Sequence, residues 1–346
     1  MTMRQTILGL VAIVSYLLPL SFASAHEVYV LDPDTIRAAM ATTSPNTFLA
    51  YFGNESQFFF WACISIVTML TILFATAFGI FEHSLGPVFA SVRRYALPLA
   101  RITAGVSVIS FGIAGALYGT EIPFSSLFGP LSDIFQLILV AVGAAITLGL
   151  CTRPLSLLLT CIYAYAGLVY GWYIFTYTDH LGVYLLLLIV GGGTLSLDRT
   201  LPTLGSIGEA LLEKYRPYAF PILRTLFGFG IMFASVYAKY LHSELALQVV
   251  VQYNLTNYFP FDPMFIVLGA LIIEFLAGLM LVLGVAIRWT SLFLLFWLTL
   301  SLLYFQEAVW PHIILFGLGI SIFLYGYDQF SLEMRWMKKR HREPVM

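Results

Sequence analysis

Glu274 has the most chemistry to account for in this chain. It lies well inside an apolar run at 264–286, near the middle of a helix long enough to cross a bilayer. An ionised carboxylate at that depth costs about 2.5–3.5 kcal/mol unless it is paired or protonated, and such residues mark proton relays, ion paths or ligand contacts by default. Lys239 lies three residues inside the outer edge of the preceding apolar run, 221–242. Its long stem can snorkel to the interface, or it can pair with Glu274, although antiparallel neighbours offset the two along the membrane normal. A third reading keeps Glu274 protonated by desolvation, as a hydrogen-bond donor. Tyr237, Tyr240 and His242 flank Lys239 in sequence and are candidates to line a cavity for a quinone headgroup or another substrate. An interfacial aromatic belt accounts for the same rings.

Four of the six histidines, His26, His180, His242 and His312, fall towards one side of the expected membrane, with Glu244 and Glu307 at similar depth. Imidazoles can bind copper or zinc, but the spacing forms no compact ligand motif, and unrelated interfacial histidines are the simpler reading. His26 is different. Cleavage after Ala25 would leave it N-terminal, where amine and ring nitrogen chelate Cu(II). Cys63, Cys151 and Cys161 form no CxxC pair. There is no phosphate loop, dinucleotide fingerprint, haem attachment motif or nucleophile elbow, so no self-sufficient catalytic motif is present.

The elements that position these residues are membrane helices. The chain is 60% hydrophobic and 10% charged, with net charge −1; soluble domains carry about 25% charged residues, and nothing in this balance suits nucleic acid. Residues 1–25 read as a signal peptide, with Arg4, an apolar core and Ala23-Ser24-Ala25 as cleavage site. Residues 26–57 form an extracytoplasmic segment, with a short helix expected from Asp32-Pro33-Asp34 to about Ala41. Nine apolar stretches follow: 58–81, 99–119, 133–151, 155–176, 181–197, 221–242, 264–286, 289–306 and 312–327. Each is near the ~20 residues that a bilayer requires. Of 17 Lys and Arg residues, Arg4 lies in the leader and only Arg37 and Lys239 fall outside; the other 14 face one compartment, which the positive-inside rule makes the cytoplasm. The basic tail, 331–346, is then cytoplasmic. The expected fold is an all-α polytopic membrane protein of nine transmembrane helices after a cleaved signal peptide.

The last eight stretches divide into two parallel four-helix repeats, 97–199 and 220–330, joined by a cytoplasmic linker at 200–219 and preceded by a first helix and loop at 58–96. Arg101 and Gly105 match Arg224 and Gly228. Gly112 matches Ser235, and Gly143 matches Gly278. Leu148-Gly149 with Arg153 matches Leu283-Gly284 with Arg288, and Leu197-Asp198 matches Tyr327-Asp328. Small residues at these places let helix backbones approach closely; Gly115 and Gly119 add a GxxxG pair. At these residues the chain resembles the DoxX/DoxD-like family of four-helix membrane proteins, here as a tandem duplication. The second copy carries the fuller pattern: Arg224, Gly228, Ala238-Lys239, Glu274, Gly278, Leu283-Gly284 and Arg288. The first copy has Ala116 and Leu139 where the second has Lys239 and Glu274. The resemblance implies a plasma (inner) membrane subunit of a quinone-linked or sulfur- or stress-related redox system, with quinone and a soluble or membrane-anchored oxidoreductase as partners besides the lipid bilayer. A transporter for a small solute or metal ion, and a non-catalytic scaffold, are the alternatives.

The orientation is testable by cysteine accessibility in a cysteine-free background. A cysteine at Arg340 should label only from the cytoplasm and one at Glu244 only from outside; the reverse pattern would refute the topology.

Overall fold

The computed structural model describes residues 42–77, 80–200 and 208–337, with a few positions between 31 and 39. The expected signal peptide, His26, the expected helix start at 32–34 and the basic cluster from Lys338 onward lie outside the described residues. The architecture is helical, and no strand occurs among the described residues. We number the principal helices α1 (Glu55–Ala77), α2 (Ile80–Val92), α3 (Ala96–Ala114), α4 (Ser132–Leu148), α5 (Thr152–Tyr170), α6 (Thr178–Val190), α7 (Ala219–Val236), α8 (Ser243–Gln252), α9 (Pro263–Leu283), α10 (Ile287–Phe305) and α11 (Val309–Tyr325).

Among the described residues, seven helical segments are long and apolar enough to cross a membrane, with Val309–Tyr325 as a shorter apolar helix. One segment, Thr152–Val190, contains both α5 and α6, joined by the 3-10 turn Gly171–Tyr177. Two expected stretches therefore fall within one continuous helical segment. The expected loop before α3 is instead largely the helix α2, with Pro87 inside it. Gly115 belongs to no GxxxG pair: it ends α3 in the left-handed conformation, φ 67°, where a glycine relieves the Cβ clash. α1 is apolar and exposed along its length, the state of a helix whose surroundings are lipid, because only apolar side chains can face hydrocarbon.

The core forms where α3 packs on α4, α7 on α9, α5 on α6 and α10 on α11. α6 then packs against α7, and α11 against α3, so the chain closes on itself. The sequence dictates these contacts through small residues. A Cβ at Gly143 would lie 2.6 Å from the Gly105 carbonyl oxygen, and one at Gly228 would lie 2.6 Å from that of Gly278. The two crossings match. So do the links between halves: Gly182 of α6 approaches Leu223 and Leu226 of α7, and Gly317 of α11 approaches Thr103 of α3. Thr178 Oγ1 donates to the Leu226 carbonyl at 2.9 Å, and Ser321 Oγ donates to the Ala96 carbonyl at 2.7 Å.

Buried arginines close one end of both halves. Arg101 donates to the carbonyls of Gly192, at 2.5 Å, and Leu195. Arg224 donates to the carbonyls of Leu281 and Val282 and, at 2.8 Å, to Asp328 Oδ2. These cations satisfy carbonyls freed at helix C-termini. Arg153 reaches the Val190 carbonyl and Arg288 that of Phe323, each at 3.3 Å. The expected match of Asp198 with Asp328 is corrected. Asp198 accepts from the Cys151 and Thr152 amides at 2.7 and 3.0 Å, capping α5. Glu333 caps α10 in the same way, accepting from the Ile287 amide at 3.0 Å. The backbone agrees: Asp198 N donates to the Gly149 carbonyl at 2.8 Å and Glu333 N to that of Gly284 at 2.9 Å.

Replacing Gly278 by alanine should lower the thermal unfolding midpoint in detergent. Gly269→Ala, on the same helix with open space where its Cβ would go, should be neutral or stabilising by up to about 1 kcal/mol. Equal behaviour of the two variants would contradict the close crossing.

Candidate functional site

At the end opposite the arginines, α7 does not finish as a regular helix. Tyr237–Leu241 forms a π turn, closed by His242 N donating to the Tyr237 carbonyl at 3.0 Å. Single π turns inside α-helices widen the backbone by one residue and occur often at functional sites. Here the turn swings Lys239 into the protein, where it is 5% exposed. The N-terminal segment holds it there: Thr47 Oγ1 donates to the Lys239 carbonyl at 2.6 Å, and Ser243 Oγ donates to the Pro45 carbonyl at 2.5 Å.

Lys239 Nζ lies 2.9 Å from Glu274 Oε2. Trp297 Nε1 donates to Glu274 Oε1 at 3.2 Å, so three helices meet at one carboxylate. The salt bridge is nearly enclosed, with Lys239 7% and Glu274 18% exposed. Breaking such a pair leaves an uncompensated charge that outweighs the contact itself.

A second acid–base pair stands on the α10–α11 turn. Glu307 Oε2 is 2.9 Å from His312 Nε2, and Ser301 Oγ donates to Glu307 Oε1 at 3.0 Å. His312 Nδ1 lies 2.9 Å from the Ala308 carbonyl. A carbonyl only accepts, so Nδ1 carries a proton. Nε2 facing a carboxylate oxygen then requires a second proton, on the ring or on the acid. A third pair is Asp179 Oδ1 with His180 Nδ1 at 3.2 Å.

One cavity of about 490 Å³ joins all three pairs, a size within the usual small-molecule range of about 300–1,000 Å³. Its walls are largely apolar, and Tyr258, Phe259, Leu300 and Tyr304 at its rim are exposed. Contact between α9 and α10 is sparse beside that between α7 and α9, which leaves room for the cavity to open sideways.

The flanking aromatic residues are not part of it. Tyr237, Tyr240 and His242 do not line the cavity that holds Lys239 and Glu274. Turning Lys239 inward rotates its neighbours away: Tyr240 packs on Phe48 at 5.5 Å and is 40% exposed, and His242 packs on Tyr237 at 4.6 Å. Trp297 and the Glu307–His312 pair are the functional candidates that sequence spacing left unconnected; an acid and a histidine flanking one tight turn was the available signal. Among the described residues no group of three or more His, Cys, Asp or Glu side chains could hold a metal ion.

Helical spans enclosing a mostly apolar cavity with paired charges define a multi-pass membrane protein. Residues 220–307 match the family model DoxX, so this part of the chain is DoxX-like. The match covers α7 through α10, and with them Lys239, Glu274, Trp297 and Glu307; it stops before His312. No curated protein and no solved structure matches the chain significantly.

Lys239→Met should destabilise the protein by about 3–5 kcal/mol by stranding Glu274, read as denaturant or thermal unfolding in detergent. The double variant Lys239→Met/Glu274→Leu should recover most of that loss. A single variant as stable as the parent would show that the pair carries no weight.

Proposed function

We propose that this chain is the membrane subunit of a quinone-linked redox system, and that its cavity receives a quinone headgroup beside Lys239 and Glu274. The observation that carries the reading is the Lys239–Glu274–Trp297 cluster at 2.9 and 3.2 Å, set in the apolar cavity. A quinone is a flat apolar ring bearing hydrogen-bond acceptors. It needs apolar walls, a donor for a carbonyl oxygen, and an acid that exchanges a proton when the ring changes oxidation state. Lys239 supplies the donor and Glu274 the acid. The exposed rim at Tyr258, Phe259, Leu300 and Tyr304 suits a ligand that arrives from lipid. The arginine-closed opposite ends favour a one-ended site over a path across the membrane, which weighs against a transporter.

The larger arrangement belongs to the same proposal. The paired glycine crossings and matched arginine ends support two parallel four-helix repeats, the first at 97–199 and the second at 220–330, in an inner membrane with the arginine ends cytoplasmic. Electrons must pass to a partner oxidoreductase, since the chain has no redox motif of its own.

The test is equilibrium binding of a decyl-substituted benzoquinone to the full chain in lipid nanodiscs, corrected for partition into empty discs. Saturable binding is expected, weakened about tenfold or more by Lys239→Met and by Glu274→Gln, as loss of a hydrogen bond to a charged group implies. Leu139→Met, at the counterpart of Glu274 in the first half, should bind like the parent. Absence of specific binding, or equal affinity in all variants, would remove the quinone assignment.

A further inference from the structure

The cavity has a second polar wall, contributed by the first half of the chain and outside the segment that matches the family model. Tyr118, Asp179 and His180 are 1%, 3% and 2% exposed and line the cavity. Three of their polar atoms, Tyr118 Oη, Asp179 Oδ2 and His180 Nε2, have no hydrogen-bond partner. Leaving one such buried group unsatisfied costs about 1–3 kcal/mol; three on residues that line one cavity point to a ligand group that pairs with them.

Their chemistry narrows that group. A carboxylate only accepts, so the Asp179–His180 contact places a proton on Nδ1, and Nε2 of the neutral ring is an acceptor. Asp179 Oδ2 is also an acceptor, whereas Tyr118 offers an O–H. A carbonyl or ether oxygen can take the Tyr118 proton but gives nothing to Asp179 or His180. A hydroxyl can accept from Tyr118 and donate its one proton to Asp179 or His180. The surroundings are aromatic: the Tyr118 ring lies 4.6 Å from His180 and stacks on Tyr177 at 5.4 Å, and Phe111 lies 5.5 Å from His180. We propose that Tyr118, Asp179 and His180 form a subsite for an aromatic hydroxyl, so that the cavity selects phenol-type, hydroxyl-bearing ligands over their carbonyl or ether counterparts. This rests on the cavity being a ligand site, as proposed above, and adds which oxygen chemistry its second wall recognises.

The experiment compares 4-hexylphenol with its methyl ether, 4-hexylanisole, binding to the full chain in nanodiscs. The phenol should bind about tenfold or more tightly, the margin of a satisfied buried hydrogen-bond set. His180→Leu should bring phenol affinity down towards that of the ether, because it removes an acceptor that only a hydroxyl uses, whereas Tyr118→Phe should weaken phenol and ether alike, because both accept its proton. If His180→Leu fails to insert, Asp179→Asn decides, since it keeps the side chain's shape and removes the carboxylate acceptor. Equal affinity of phenol and ether in the parent, as an ordered water retained at the three atoms would produce, overturns the subsite, as does a phenol preference undiminished in His180→Leu and Asp179→Asn. Weaker benzoquinone binding in Lys239→Met alongside equal phenol and ether affinity would leave the cavity reading standing and the subsite refuted; binding of none of the three probes would overturn both.

Discussion

An ionised side chain in the middle of a membrane helix has to meet its counter-charge inside the protein, and the 2.9 Å contact of Lys239 with Glu274 is the interaction on which the second half depends. Straight antiparallel helices would set these residues at different depths. The π turn at Tyr237–Leu241 resolves this by turning Lys239 inward, and it disturbs the local ladder of backbone hydrogen bonds. Thr47, far away in sequence, donates to the Lys239 carbonyl. The segment before α1 thus holds Lys239 in place without lining the cavity. Trp297 occupies the other oxygen of Glu274, which fixes the carboxylate in one orientation and ties α10 to α9 where those helices are otherwise loosely joined.

The two halves are alike where arginines hold them and unlike where chemistry is placed. Arg101 and Arg224, the glycine crossings, and the caps supplied by Asp198 and Glu333 all perform equivalent tasks at one end. At the other end Ala116 and Leu139 are buried apolar residues where the second half has Lys239 and Glu274. The first half still sets its Asp179–His180 pair on the same cavity. Paired polar groups from both halves thus surround one space, and the cavity is that space.

How much of this was legible follows from which physical signal each feature leaves. Long apolar runs separated by charge read directly as helices, because hydrocarbon tolerates little else. The glycine crossings were legible because only a missing Cβ permits backbone contact. α8 and α2 were not: α8 is short and of mixed polarity, and α2 contains Pro87, so both read as loop. The Lys239–Glu274 contact stayed open because a regular helix was assumed, and nothing in the residues 237–241 announces a π turn. Tyr237, Tyr240 and His242 do not line the cavity that Lys239 enters, since neighbours in sequence point in different directions around a helix. Asp198 was matched to Asp328 by residue type, whereas the structure matches it to Glu333 by the backbone amides it caps.

The cavity also limits what can occupy it. Asp179, Glu274 and Glu307 each stand within 3.2 Å of a base, so each acid has a partner at its side. Between the pairs the walls are largely apolar, which favours apolar surface on any occupant. Pairing does not make the acids inert. Glu307 and His312 together retain one proton more than a carboxylate and a neutral ring, because the Ala308 carbonyl fixes Nδ1 as a donor. A proton moving between the two atoms of that pair changes no net charge in the cavity, so it avoids the desolvation cost that a lone carboxylate would meet on ionising. An acid–base pair, rather than an isolated acid, can therefore relocate a proton inside a membrane without creating net charge.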